Sequence, residues 1–207
     1  MSLRINDIAP NFTARTTAGT ITFHDWIGDG WAILFSHPKD FTPVCTTELS
    51  TFARRAEEFA QRKVKLIGLS IDSIHSHLAW LDDIKRNLGT PINYPMIADL
   101  DTKVAQLYGM IHPGESTTVT VRAVFVIDPS RKIRALIYYP LSSGRNIDEV
   151  LRLVDSLQAS DKGVATPADW RPGDKVIVPA ATTVSAREAR ANEPYEHVAP
   201  YLAFKNL

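Results

Sequence analysis

Two short apolar runs mark the centre of the chain. The segments "WAILFSH" (31–37) and "VKLIGLSI" (64–71) contain few polar residues, which is typical of strands buried on both faces of a sheet. Between them, apolar side chains recur at spacings of three and four, as they do on one face of a helix. This stripe consists of Cys45, Leu49, Phe52, Ala56 and Phe59. The pattern therefore predicts a strand–helix–strand unit.

Two further helices are predicted after this unit. The first covers about 74–88, because Asp72 or Ser73 can cap its start and Gly89 can end it. A shorter helix is predicted over 101–108.

The next elements are predicted to be a hairpin and a closing helix. "VTVRAVFVI" (119–127) and "KIRALIYY" (132–139) flank the turn sequence "DPSR". A last helix begins at Asn146, with Glu149 in a capping-box position. Right-handed crossovers make the first two strands parallel and place helices on both sheet faces. The order of elements thus predicts an α/β thioredoxin-like fold with a central mixed sheet.

The pattern changes after about residue 160. "VATPADWRPGDKVIVPAATT" shows no clean period, and five of the 13 prolines lie in 161–207. We therefore predict a thioredoxin-like domain over 1–160 and a smaller C-terminal arm over 161–207, too thin to bury a core of its own. We expect this arm to dock on the main domain or on a partner subunit and to contribute to dimerisation.

Composition narrows the classes of partner. The 207 residues include 23 Lys and Arg against 23 Asp and Glu, so the formal net charge is zero. This balance argues against a dominant attraction to nucleic acid or to anionic membranes. The start "MSLRINDIAP" lacks the apolar run of a signal peptide, and no stretch approaches the roughly 18 apolar residues of a membrane helix. A single cysteine forms no intramolecular disulfide, so we expect a cytoplasmic protein.

The single cysteine lies in "HPKDFTPVCTTEL" (37–49). Thr42 is a candidate N-cap and Pro43 a first helical residue, so Cys45 falls in the first turn of the helix. Free backbone N–H groups and the helix dipole favour negative charge there. Cys45 shares a face with Leu49, so we expect its sulfur to be only partly exposed. Two interpretations remain open at this point: a nucleophilic thiolate, or a small hydrophobic residue of the core.

A motif around the cysteine resembles a known family. Pro38, Thr42, Pro43 and Cys45 form P-x-x-x-T-P-x-C, which resembles the active-site signature of the peroxiredoxins. "FSHPKDFTPVCTTEL" (35–49) is similar to the 1-Cys peroxiredoxins of the peroxiredoxin-six-like group, in the AhpC/TSA superfamily. The similarity continues through "VKLIGLSIDS", "HLAW", "RAVFVIDP" and "VATPADW". The resemblance implies a thiol-dependent peroxidase that reduces hydrogen peroxide and alkyl hydroperoxides, with Cys45 oxidised to a sulfenic acid.

The resemblance also implies roles for residues near Cys45. Arg122 would stabilise the thiolate and polarise the peroxide, since a half-buried arginine needs an anion; alternatively it reaches solvent at a strand edge. Thr42 would bind the peroxide, or only cap the helix. Pro38 would shield the sulfur from water, or be an ordinary loop proline.

Three more residues are expected around those that contact the sulfur or the peroxide. Glu48 would orient Arg122 and Arg145, while the alternative for both Glu48 and Arg145 is a solvated charge. His37 would hydrogen-bond near the sulfur or help a proton leave, or it would only satisfy a backbone group. The other histidines show no spacing typical of metal ligands, and we expect neither a metal nor a cofactor.

The lone cysteine limits how the enzyme is recycled. Without a resolving cysteine, an external thiol or another small reductant must reduce the sulfenic acid; glutathione, a thioredoxin-like protein and ascorbate remain open. The family forms homodimers, some of them assembled into larger rings, and we expect at least a homodimer. The alternative is a non-enzymatic holdase chaperone or redox-signalling scaffold. A disulfide reductase is disfavoured because C-x-x-C is absent.

Some relatives carry a phospholipase activity that this chain is not expected to share. Their nucleophile lies in "G-D-S-W-G", whereas this chain has "GDGWA" (28–32), with Gly30 at the serine position. His24 matches the accompanying histidine, but Ser130 replaces the aspartate. A serine hydrolase requires its nucleophile.

Overall fold

A computed structural model of the protein describes residues 3–207. Its strands are β1 Thr13–Thr16, β2 Gly19–Thr22, β3 Trp31–Ser36, β4 Val64–Ser70, β5 Met96–Ala98, β6 Arg122–Ile127, β7 Ile133–Tyr139, β8 Val176–Ile177, β9 Glu196–Ala199 and β10 Leu202–Lys205. Its helices are α1 Phe23–Ile27, α2 Pro43–Arg54, α3 Ala56–Gln61, α4 Ile74–Leu88, α5 Lys103–Leu107, α6 Ile147–Ser160 and α7 Val184–Ala191.

The larger sheet has the strand order β2-β1-β5-β4-β3-β6-β7. β3 pairs in parallel with β4, and β4 with β5. β6 and β7 form an antiparallel pair beside β3, and β1 and β2 form an antiparallel hairpin beside β5. The predicted mixed sheet, with its parallel β3–β4 unit and its β6–β7 hairpin, is therefore confirmed.

The two faces of this sheet contact different helices. Leu34 and Phe125 belong to a core cluster that includes Phe23 of α1. On the opposite face of β3, the ring of Phe35 stacks on Phe52 of α2, with centroids 4.3 Å apart. Helices thus cover both faces, as the thioredoxin-like fold predicts, and α2 lies on the face of Phe35.

Helix α4 begins and ends where the sequence predicts. The Ser73 hydroxyl accepts a hydrogen bond from the Ser76 N–H at 3.2 Å, which caps the first turn. Gly89 ends the helix in the left-handed conformation with φ of 63°, which glycine adopts without steric cost.

Other elements differ from the sequence pattern. The helix predicted from the stripe of Cys45 is two helices, because Arg55 leaves helical geometry between α2 and α3, with φ of −99° and ψ of 4°. Strands β1, β2 and β5 and helix α1 were not predicted. β1 and β2 are four-residue strands rich in threonine, and only Thr16 among their residues is buried, so large apolar side chains do not alternate along them.

The chain divides into two compact units, which meet between Ile147 and Asp148. In the second unit, β8, β10 and β9 form an antiparallel sheet in that order. A small buried cluster in the same unit consists of Ala159, Val164, Trp170 and Val176. The segment 161–207 is thus more regular than its pattern indicates, because strands of two to four residues are too short to show a period. The domain boundary after residue 160 stays a prediction.

Candidate active site

Cys45 lies in the first turn of α2, whose first residue is Pro43. The cysteine is 0% exposed, so its sulfur is more deeply buried than the sequence predicts. Thr42 precedes the helix with an extended backbone, but its hydroxyl donates to the Lys39 carbonyl at 2.9 Å instead of capping the helix. The expected side-chain cap is therefore wrong: the Thr42 hydroxyl accepts no hydrogen bond from the first N–H groups of α2.

Arg122 reaches the sulfur from the sheet. It begins β6, which lies between β3 and β7, and it is 3% exposed, so the alternative of a solvent-exposed edge arginine is wrong. Its Nη1 donates to Cys45 Sγ at 3.2 Å and to Glu48 Oε2 at 2.7 Å. Nε and Nη2 donate to the Leu141 carbonyl at 3.1 and 2.6 Å. These bonds fix one guanidinium nitrogen against the sulfur.

Glu48 joins Arg122 to a second buried arginine. Arg145 Nε donates to Glu48 Oε1 at 2.8 Å and Nη2 to Oε2 at 2.9 Å, which is a bidentate pair. The backbone N–H of Arg145 also donates to Oε1, at 2.8 Å. Burial alone would raise the pKa of Glu48, but Arg145 and Arg122 hold it below its ordinary value. Glu48 is therefore an anion.

The charges of this cluster leave one positive charge beside the sulfur. Arg122 and Arg145 are two buried cations, and Glu48 supplies one anion. A buried uncompensated cation is costly, whereas a thiolate on Cys45 would bring the sum of the four groups to zero. The positive charge that Glu48 leaves unbalanced is thus carried beside the sulfur, 3.2 Å from Arg122 Nη1.

Pro38 and Thr42 belong to the connection between β3 and α2. Pro38 is buried and Thr42 is half-buried. One short connection therefore carries both residues up to the helix that bears Cys45.

His37 contacts a carboxylate that the sequence did not indicate. Its Nε2 lies 2.8 Å from Asp40 Oδ1, and its Nδ1 has no hydrogen-bond partner among residues 3–207. His77 of α4 places Nδ1 2.8 Å from Asp40 Oδ2 and Nε2 3.0 Å from the Ile97 carbonyl. Burial lowers the pKa of His37, although Asp40 opposes this effect. Within residues 3–207, the His37 side chain therefore makes neither of the hydrogen bonds expected from the sequence, to the sulfur or to a backbone group.

The cluster of His37, Asp40 and His77 links the β3–α2 connection to α4. Burial alone would raise the pKa of Asp40, but hydrogen bonds from both histidines hold it well below its ordinary value. The three side chains offer donor atoms of the kind that bind metals. Both contacts with Asp40 have hydrogen-bond lengths, so a hydrogen-bond network accounts for the geometry. The spacing from His37 to Asp40 could have indicated one contact, but His77 lies 37 residues from Asp40.

Comparison with known proteins identifies the family. A model of the AhpC/TSA family matches residues 5–136. The chain belongs to the AhpC/TSA family. A second model, of the C-terminal domain of 1-Cys peroxiredoxin, matches residues 156–192. The resemblance to the 1-Cys peroxiredoxins is thereby confirmed.

Relatives align with nearly the whole chain of this peroxiredoxin. A peroxiredoxin of Aquifex aeolicus is 52% identical over 99% of this chain and 97% of its own length. Peroxiredoxin-6 of Homo sapiens is 51% identical over 91% of this chain and 87% of its own length. A structure of a yeast mitochondrial 1-Cys peroxiredoxin superimposes with a TM-score of 0.90 at 47% identity, covering 99% of this chain and 100% of that one. This peroxiredoxin is a thiol-dependent peroxidase, and the comparisons do not favour a holdase or scaffold.

Gly30 lies close to the backbone at Lys63. A Cβ atom at this position would lie 2.8 Å from the Lys63 carbonyl oxygen, which is too close for a serine without a backbone shift. His24 Nε2 lies 2.8 Å from the Ala9 carbonyl.

Among the described residues, no helix has both the length and the apolar character needed to span a bilayer.

Proposed function

We propose that Cys45 is the peroxidatic nucleophile and that Arg122 is the group that activates it. The observation that carries this proposal is the 3.2 Å contact between Arg122 Nη1 and Cys45 Sγ within a buried cluster of two cations and one carboxylate. A thiolate balances this charge and is the reactive form of cysteine.

The reaction follows from these positions. The thiolate attacks one peroxide oxygen, an S–O bond forms and the O–O bond breaks. The departing oxygen leaves as hydroxide or alkoxide and takes a proton to become water or an alcohol, while Cys45 becomes a sulfenic acid. Arg122 stabilises the charge as it moves from sulfur to the leaving oxygen.

The other residues hold this arrangement. Glu48 orients Arg122 and Arg145, supported by its bonds to both guanidinium groups. Pro38 shields the sulfur, supported by its burial. Thr42 binds the peroxide after its hydroxyl turns from the Lys39 carbonyl. His37 acts with Asp40 to hold the β3–α2 connection.

An external thiol completes the cycle. The chain has one cysteine, so the sulfenic acid condenses with a thiol from another molecule to a mixed disulfide, which a second thiol reduces. The yeast 1-Cys peroxiredoxin uses glutathione and thioredoxin systems for its thiol resolving mechanism, which makes these reductants the first to test.

We also propose a cytoplasmic homodimer, able to form larger rings, in which the 161–207 arm packs across the partner.

Rapid mixing of the reduced enzyme with hydrogen peroxide or cumene hydroperoxide tests the chemistry. Mass spectrometry should find one added oxygen on the peptide that holds residue 45, and Cys45→Ser should abolish peroxide consumption. Arg122→Lys keeps the positive charge but loses the planar guanidinium that donates several hydrogen bonds at once. We expect the oxidation of Cys45 to slow roughly a hundredfold. Arg15→Ala, an exposed arginine on β1, is the control and should react normally. Peroxide turnover by Cys45→Ser, or a normal rate in Arg122→Lys, would contradict the assignment.

A further inference from the structure

The second compact unit contains a cavity outside the cysteine site. Its volume is about 580 Å³, within the usual range of small-ligand sites. Arg187, Glu188 and Arg190 of α7 and His197 of β9 supply its polar lining. Val198 and Pro200 contribute to an apolar wall. The cavity therefore offers both charge and an apolar surface.

Arg190 has an incomplete set of hydrogen bonds. The residue is 7% exposed, and its Nη1 donates to the Pro179 carbonyl. Its Nε and Nη2 are buried and have no hydrogen-bond partner within residues 3–207. A guanidinium does not lose its proton in a protein, so Arg190 is a buried cation that pairs with no anion in the described part of the chain. Such a charge is unfavourable until an anion pairs with it.

The two Arg190 nitrogens without a hydrogen-bond partner in residues 3–207, Nε and Nη2, form one edge of the guanidinium group, here called its bare edge. Elsewhere in this chain the same edge binds a carboxylate. Arg145 donates Nε and Nη2 to Glu48 at 2.8 and 2.9 Å, and Arg152 donates the same pair to Glu149 at 2.6 and 2.8 Å. This side-on geometry matches the spacing of two carboxylate oxygens. A carboxylate is therefore the chemical complement of the bare edge of Arg190.

The other charges of the cavity favour a single negative charge. Arg187 and Arg190 contribute two positive charges and Glu188 one negative charge, so these three side chains sum to one positive charge. A monoanion balances this sum, and the apolar wall suits an organic body. We propose that the cavity binds a small organic monocarboxylate whose two oxygens accept hydrogen bonds from Nε and Nη2 of Arg190. Binding includes a rotation of the guanidinium, since both nitrogens are buried in the free protein.

Isothermal titration calorimetry on the full chain tests the proposal with two matched probes. Phenylacetate carries a carboxylate on an apolar body, and phenylacetamide is its neutral counterpart. We expect saturable binding of phenylacetate, and affinity for the amide lower by roughly tenfold or more, because bonds to a charged group are worth more than neutral ones. Cys45→Ser should bind phenylacetate normally, which separates this site from the peroxidase chemistry.

Variants of Arg190 then locate the binding. Arg190→Gln should reduce the affinity for phenylacetate roughly tenfold or more. Arg190→Lys keeps the charge but lacks the two-nitrogen edge, and it should also bind weakly, so the proposal is testable even if Arg190→Gln misfolds. Arg171→Gln removes an exposed arginine of the same unit and should bind like the unsubstituted chain. Circular dichroism establishes that each variant is folded.

Several results would overturn the proposal. These are absence of phenylacetate binding, equal affinity for the amide, or unchanged binding in both Arg190 variants. Light scattering supplies a further criterion. If Arg190→Gln changes the oligomeric state and phenylacetate does not bind, the carboxylate belongs to a second copy of the chain, and the small-molecule site is refuted.

Discussion

Arg145 and Arg190 are equally buried, each with 7% of its surface exposed, yet their guanidinium groups have opposite surroundings. Arg145 pairs its Nε–Nη2 edge with Glu48 and donates Nη1 to the Ala123 carbonyl at 2.8 Å. Arg190 leaves the same edge without a partner in the described part of the chain. Because neither guanidinium can become neutral, the difference lies in where the anion comes from. Glu48 supplies it to Arg145, and no carboxylate among residues 3–207 pairs with Arg190.

The comparison extends to the cysteine site. Glu48 serves two arginines, so the cluster of Arg122, Arg145 and Glu48 lacks one negative charge. The sulfur of Cys45, 3.2 Å from Arg122, is placed to supply it. We therefore propose that a missing anion has a counterpart in each unit: the sulfur of Cys45 in the first and a bound carboxylate in the second.

Arg145→Met should give the largest loss of stability. The substitution leaves Glu48 without its bidentate partner and removes the bonds to the Ala123 carbonyl and to both carboxylate oxygens. Breaking a buried pair costs about 3–5 kcal/mol. Because Glu48 keeps its 2.7 Å hydrogen bond to Arg122, we expect a loss near the lower end of this range. Urea unfolding followed by circular dichroism measures the change, with Arg15→Met as the exposed control. A loss no greater than that of the control would mean that the pair contributes nothing.

Acid should weaken the first unit through the same pair. The pKa of Glu48 lies below its ordinary value of 4.5 in the folded chain, so its contribution to stability is present above pH 4.5 and is lost as pH falls through the folded pKa. Each proton taken up on unfolding changes the free energy by at most about 1.4 kcal/mol per pH unit. Arg145→Met should show a shallower fall, since the strongest partner of Glu48 is gone, whereas Arg190→Met should keep the original slope. Equal slopes in Arg145→Met and the unsubstituted chain would contradict this account.

Arg190→Met should act in the opposite direction from Arg145→Met. It replaces an unpaired buried cation with an apolar side chain, and we expect the free energy of unfolding to rise by about 1 kcal/mol. Saturating phenylacetate should stabilise the unsubstituted chain but not this variant, because only the former binds it. Thermal unfolding with and without phenylacetate measures both effects. Destabilisation by several kcal/mol would show that Arg190 already has an anionic partner.

The sequence predicts the first of these two sites far better than the second. The alternation of strands and helices predicts a mixed sheet with helices on both faces, and the motif from Pro38 to Cys45 marks the turn that holds the cysteine. Arg122, Glu48 and Arg145 were predicted as neighbours of the sulfur, and the structure brings the four side chains together.

The remaining features depend on contacts that periodicity does not encode. Asp40 meets His77 across 37 residues, between a loop and a helix, so neither residue type nor spacing indicates the pair. Arg190 lies in the polar sequence "VSAREARA" of α7, which has the composition of an exposed helix. Its burial arises in a unit whose strands are too short to show an apolar pattern.

Glu188→Gln should produce the smallest effect and test the charge balance of the cavity. The substitution changes its net charge from one positive charge to two, so affinity for phenylacetate should rise a few-fold, by about 0.5–1 kcal/mol, because solvent screens the repulsion it removes. Affinity for phenyl phosphate, which carries up to two negative charges, should rise more than that for phenylacetate. Calorimetry with both probes measures the ratio, and Glu193→Gln, an exposed residue of the same unit, is the control. If Glu188→Gln instead weakens phenylacetate binding, then Glu188 positions Arg190 for its ligand, and the selection of a monoanion by charge balance is wrong.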